Sequence, residues 1–119
     1  MTELLGIARF RFKDGKRDEF LRLSEQARAL VEAGEPGTLQ YDVHLNADRT
    51  EALVIERYVD SAAAIFHAQH LGEMFAAVFD TVELVHGELV GEPSAELRAN
   101  LEGSEAPVLF TPVLSLRRD

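Results

Sequence analysis

LVIERYVDSAAAIFH, residues 53–67, decides how the chain is read. Its first seven residues are rich in β-branched and other apolar side chains, as a strand requires, and Glu56 and Tyr58 stand two apart and so share a face. Asp60 or Ser61 can then accept hydrogen bonds from the free N–H groups that open a helix. His67 falls in the second turn of that helix. A strand carrying a carboxylate and a phenol runs straight into a helix carrying an imidazole.

Working outward, the same strand–helix sense occurs once upstream. Leu5 to Phe12 alternates, with Ala8, Phe10 and Phe12 on one face and Ile7, Arg9 and Arg11 on the other. Lys13-Asp14-Gly15-Lys16 is turn chemistry. From Arg17 to Ala33, Phe20, Leu23, Ala27, Leu30 and Val31 recur at helical spacing, and Gly34-Glu35-Pro36-Gly37 stops the helix. Thr38 to Leu45 alternates again, and the short loop 46–50 joins it as a hairpin to the strand Ala52–Val59. Downstream, the second helix is predicted to run unbroken to about Asp80, with Ala64, His67 or Ala68, Leu71, Phe75 and Val78 in one stripe. Leu84 to Gly91 reads as a fourth strand in which His86 and Glu88 share a face. Ser94 caps a short helix that ends near Gly103. Val108 to Leu116 reads as a fifth strand, which Pro112 confines to an edge or bend.

The order βαββαβ predicts an α+β, ferredoxin-like antiparallel sheet with both helices on one face and the other face open. Residues 1–92 form this unit; 93–119 add a helix–strand extension to the same domain. Apolarity assigns Ala8, Phe10, Phe12, Tyr41, Val43, Leu45, Leu53 and Ile55 to the helix-covered face. The open face is expected to carry Arg9, Arg11, Gln40, Asp42, His44, Val54, Glu56, Tyr58, His86 and Glu88.

Composition narrows the partners. The 119 residues are 46% hydrophobic and 28% charged, within the range of a single globular domain. Twelve basic against twenty-one acidic residues give a net charge of -9, which disfavours nucleic acid and anionic membrane surfaces. No apolar run approaches a membrane span, and no basic-then-apolar leader opens the sequence, so a signal peptide is not expected. The absence of cysteine removes disulfides, thiolate metal sites and thiol nucleophiles, and fits a cytoplasmic location.

Taken together, Phe10-Arg11-Phe12-Lys13 with Gly15, Glu35-Pro36-Gly37 followed by Tyr41, Glu56-Arg57-Tyr58 at a strand end and His67 in the next helix resemble the antibiotic biosynthesis monooxygenase domain. The resemblance spans roughly residues 3 to 91. It implies a homodimeric α+β barrel closed by two sheets meeting open face to open face, with a pocket in each subunit. It also implies oxidation of a small aromatic phenol or quinol by dioxygen, without metal or flavin. The sequence departs from the family at Tyr58, where Trp is frequent, and at His70-Leu71-Gly72, where a Ser-Pro-His run is frequent. The lack of any tryptophan argues against the haem-degrading branch.

The candidate catalytic residues are Glu56, His67 and Tyr58. A carboxylate in a closed barrel can take a phenolic proton, which makes the ring electron-rich enough to reduce dioxygen; the structural reading of Glu56 is a salt bridge to Arg9 or Arg11. Tyr58 can orient a substrate hydroxyl or simply pack at a strand end. His67 titrates in the range that suits a proton shuttle, or is a satisfied core residue. Arg9, His44 and His86 are candidate substrate contacts on the expected open face. His67 and His70 lie three apart, but no third ligand is placed by the sequence, so no metal site is expected. A non-catalytic dimer that binds a small ligand is the competing reading.

Overall fold

The computed structural model describes residues 3–118, so the ends of the two predicted segments, residues 1–2 and 119, lie outside it. Strands β1 (Leu4–Phe12), β2 (Thr38–Leu45), β3 (Glu51–Tyr58), β4 (Val82–Val90) and β5 (Val108–Phe110) form one sheet in the order β2-β3-β1-β4-β5. β1 pairs antiparallel with β3 and β4, and β2 with β3. This is the ferredoxin-like βαββαβ arrangement. β5 adds a parallel edge beside β4 through Glu88, Leu89 and Val90, and Pro112 lies beyond its last residue. The fifth strand is therefore shorter than the alternation predicts.

Helix α1 (Arg17–Gly34) buries Phe20, Leu23, Ala27 and Val31 on the sheet, as their spacing requires. The predicted second helix is two helices, α2 (Ser61–Leu71) and α3 (Glu73–Phe79). Gly72 separates them at φ 48°, a backbone conformation that side chains disfavour, and its N–H closes the end of α2 on the carbonyl of Ala68. Asp60 caps α2 by accepting from the N–H of Ala63 at 2.9 Å. In the extension, α4 (Ala95–Leu101) starts at Ser94, whose side chain accepts from Leu97 N–H. Its link to the main unit runs through Ser94 N–H, which donates to Ser61 Oγ at 2.8 Å. No helix among the described residues is long and apolar enough to cross a membrane.

Register fixes the faces. β1 Leu4, Gly6, Ala8 and Phe10 stand opposite β3 Tyr58, Glu56, Val54 and Ala52, and opposed residues in an antiparallel pair share a face. Phe10, Phe20, Ala52, Val54 and Val82 form a core cluster under α1, and Leu4, Tyr58, Leu89 and Leu97 form a second under α2 and α4. The predicted phases of β1 and β2 are correct. That of β3 is inverted: Leu53 is exposed on the open face, while Val54, Glu56 and Tyr58 point under the helices. Three consecutive apolar residues, Leu53-Val54-Ile55, leave the phase to Glu56 and Tyr58, and two polar side chains read as outward-facing.

One contact brings α2 close to the sheet. A Cβ on Gly37 would lie 2.7 Å from Cβ of Ala63 and 3.3 Å from Cγ1 of Val59. Only glycine permits that approach, and its carbonyl accepts from Val59 N–H at 2.8 Å. The approach sets α2, and with it His67, against β2 and β3.

Candidate active site

Four ionisable side chains meet where the α1–β2 link, β3 and α2 converge. His67 is 2% exposed. Its Nδ1 lies 2.7 Å from Oε1 of Glu35, and its Nε2 lies 2.8 Å from Oε2 of Glu56. The second contact is an ion-pair approach outside hydrogen-bond geometry, so Nε2 is buried beside a carboxylate without a linear bond to it. Glu35 also receives His70 Nδ1 on Oε2 at 2.6 Å and the Thr38 hydroxyl on Oε1 at 2.8 Å. The rings of Tyr58, Phe75 and Tyr41 stand around the imidazole at 5.4, 5.5 and 6.2 Å between centroids.

These contacts set the protonation tendencies. Burial opposes charge on His67 most strongly, yet Glu56 and Glu35 on its two sides outweigh it and raise its pKa above the ordinary imidazole value. Burial likewise opposes charge on Glu35, but hydrogen bonds from His70, His67 and Thr38 prevail and lower its pKa. Burial, followed by the negative charge of Glu56, pushes the phenols of Tyr58 and Tyr41 well above their usual range. Both therefore stay protonated and can donate hydrogen bonds without acting as bases.

Two cavities flank Glu56 on the helix-covered side of the sheet. The smaller, of about 120 Å³, runs between β1, β3, α1 and α3 and is lined by Phe10, Phe20, Tyr41, Leu71 and Phe75 among others. The larger, of about 310 Å³, reaches Tyr58 and His67 and is walled by Leu97, Leu101, Ala106 and Pro107 of the extension. Glu56, with a side chain 20% exposed, lines both. Each wall is largely apolar, so a carboxylate is presented to an apolar chamber with an imidazole behind it.

The site thus gathers Glu56, Tyr58 and His67, as their order in the sequence leads one to expect, but on the opposite face. The expected chamber between two open sheets is not where these residues lie; they are enclosed within one chain. The expected ion pair between Glu56 and Arg9 or Arg11 is absent: both arginines pair with Glu51, at 2.7 and 3.5 Å. Arg9, His44 and His86 are exposed on the open face, opposite Leu53, Leu53 and Arg9 in the sheet register, and reach neither cavity. His86 contacts Glu88 at 2.9 Å instead. Glu35 escaped the sequence reading. A glutamate after a helix stop looks solvated, and the only signal was its place in Glu35-Pro36-Gly37, where Gly37 draws the link against α2. His67 and His70 both turn Nδ1 to Glu35, and no three His, Cys, Asp or Glu side chains among the described residues are grouped to hold a metal ion.

A sequence profile described as antibiotic biosynthesis monooxygenase matches residues 5–80, more than half of the chain. The chain belongs to this family. No curated protein matches the sequence. Among solved structures, MupZ from Pseudomonas fluorescens is similar at 20% identity and a TM-score of 0.81, over 99% of this chain and 96% of that one. SnoaB from Streptomyces nogalater, a cofactor-independent oxygenase, is similar at 17% identity and 0.65, over 75% and 91%. Rv0793 from Mycobacterium tuberculosis is similar at 22% identity and 0.67, over 78% and 97%. The last two likenesses extend over about three quarters of this antibiotic biosynthesis monooxygenase-family chain, whereas the MupZ likeness spans nearly all of it. The fold of the helix–strand extension is thereby shared with at least one relative.

Proposed function

We propose that this family member is a cofactor-independent monooxygenase that oxidises a small aromatic phenol or quinol with dioxygen. What carries the reading is Glu56, set in the wall of both apolar cavities with His67 2.8 Å behind it. The family membership and the likeness to an oxygenase that works without a cofactor support it.

An apolar cavity of about 150 Å³ holds a benzene ring, so the larger cavity here suits a fused aromatic of two or three rings. The phenol gives its O–H proton to Glu56, and the electron density left on the ring reduces dioxygen. Glu56 passes that proton on to Nε2 of His67 in its neutral form, 2.8 Å away, and the flanking carboxylates stabilise the imidazolium that results. A carbon–oxygen bond forms, the proton returns from the Glu56–His67 pair to the peroxide, and water leaves with the hydrogen of the oxidised carbon. One oxygen atom enters the quinone and the other enters water. The substrate is the only reductant. Tyr58, held protonated, orients the substrate oxygen by donating to it.

Oxygen uptake with a panel of phenols and quinols tests this. The wild type is expected to exceed the uncatalysed rate, and Glu56→Gln to lower it by about 10²–10⁴-fold, the usual worth of a general base. Equal rates for the two proteins would remove the catalytic role. Tight binding of a phenol without oxygen uptake would leave a non-catalytic ligand-binding barrel.

A further inference from the structure

Glu35 lines neither cavity, yet its side chain is only 1% exposed and three donors converge on it. Burying a carboxylate is costly even when it is paired, and packing alone is served as well by an apolar side chain. The consequence for the site is geometric. Nδ1 of His67 is tied to Glu35, so the ring can only turn Nε2 toward Glu56. From the other side, His70 bonds the second oxygen of Glu35 with its own side chain 27% exposed. The His70 ring stacks on Phe66 at 5.3 Å and fits over Gly34, where a Cβ would stand 3.1 Å from it.

We propose that Glu35 is a positioning residue: it fixes the His67 ring with Nε2 toward Glu56 and supplies the charge against which the imidazolium forms. His70 connects this enclosed pair to solvent protons. The groups that face His67 are Glu35 from the α1–β2 link, Glu56 and Tyr58 from β3, Tyr41 from β2 and Phe75 from α3. Of these, Glu35 and Glu56 are the anions, and Glu35 alone stands clear of the cavities. The kinetic consequence rests on the oxygenase reading; the ring's orientation and titration do not.

Histidine-selective nitrogen NMR on the full chain, paired with oxygen uptake, tests the proposal. In the wild type, the Nδ1 proton of His67 is expected to exchange slowly, and the ring to titrate above the ordinary imidazole range. Glu35→Gln keeps the shape and an oxygen for Thr38 but removes the charge. It should weaken the ring's proton affinity about tenfold or more, and move the acidic limb of the pH–rate profile to lower pH. It should also cut kcat about tenfold or more while KM stays within about twofold. Glu35→Asp should restore part of each. His70→Gln should slow exchange of the His67 Nδ1 proton further.

A His67 titration that Glu35→Gln leaves unmoved makes Glu35 a merely structural residue and overturns the proposal. If that variant does not fold, the wild type decides: a ring titrating at or below the ordinary value overturns it too. Unchanged exchange in His70→Gln removes the solvent connection. A ring that behaves as expected in a protein that consumes no phenol would sink the oxygenase reading and leave the positioning of His67 standing.

Discussion

Replacing His67 by Phe removes the shared cation and leaves the space filled. The phenyl ring retains the neighbours Tyr58 and Phe75 at 5.4 and 5.5 Å, so little of the loss is a cavity effect. What remains is electrostatic, since Glu35 and Glu56 lose the group between them. Breaking a buried ion pair costs about 3–5 kcal/mol. Here Glu35 keeps His70 and Thr38, and Glu56 is 20% exposed, so the lower end applies, about 3 kcal/mol near neutral pH. For a domain of this size that corresponds to a fall in Tm of roughly 10 °C.

The pH dependence separates this account from simple packing loss. The lowered pKa of Glu35 contributes stability that is present above its unfolded value and lost as pH falls through the folded one. The raised pKa of His67 contributes stability that is present below its unfolded value and lost as pH rises through the folded one. The wild-type advantage over His67→Phe is therefore largest between those limits and shrinks on both sides. Urea denaturation of both proteins near pH 4, 7 and 10 measures it. A difference below about 1 kcal/mol near pH 7, or one equal at all three, would refute the reasoning.

Two further predictions concern the frame around the site. Gly37→Ala places a methyl 2.7 Å from Cβ of Ala63 and should destabilise by about 1–3 kcal/mol, as overpacking does; a denaturation midpoint equal to the wild type would show that α2 yields freely there. The open face exposes Leu53 beside half-buried Ile7 and Ile55, a surface suited to a second copy of the chain. Light scattering is expected to give a dimer for the wild type and a monomer for Leu53→Glu. A monomeric wild type would refute the homodimer.

Most of the fold was legible because each element carries its own local signal. The alternation of β1, the helical spacing of Phe20, Leu23, Ala27 and Val31, and the caps at Asp60 and Ser94 need no tertiary information. Gly72 was readable as a break but lay inside a stripe that ran through it, so one long helix was the simpler reading. The face of β3 was a different kind of problem. Nothing within Leu53–Tyr58 can say that Glu56 points inward, because inward placement becomes tolerable only through His67, which arrives on another element. Glu35 shows the same limit more sharply: its burial depends on donors from β2 and from two turns of α2. The identities of Glu56, Tyr58 and His67 were visible in the sequence, and their partners were not.

The inversion of β3 changes what association between subunits can do. Were the acids and imidazole on the open face, they would be secluded only when two sheets meet, and a monomer would have no chamber. With Glu56 and His67 beneath α2 and α3, their burial comes from one chain, and the extension supplies part of the cavity wall through Leu97, Leu101 and Pro107. Dimerisation and the buried charge cluster then become separable properties of the molecule. A Leu53→Glu monomer should keep the elevated His67 titration of the wild type, because no group that sets it lies on the open face. Loss of that titration on dissociation would mean that the second subunit holds the helices in place, and the cluster would have to be treated as a property of the pair.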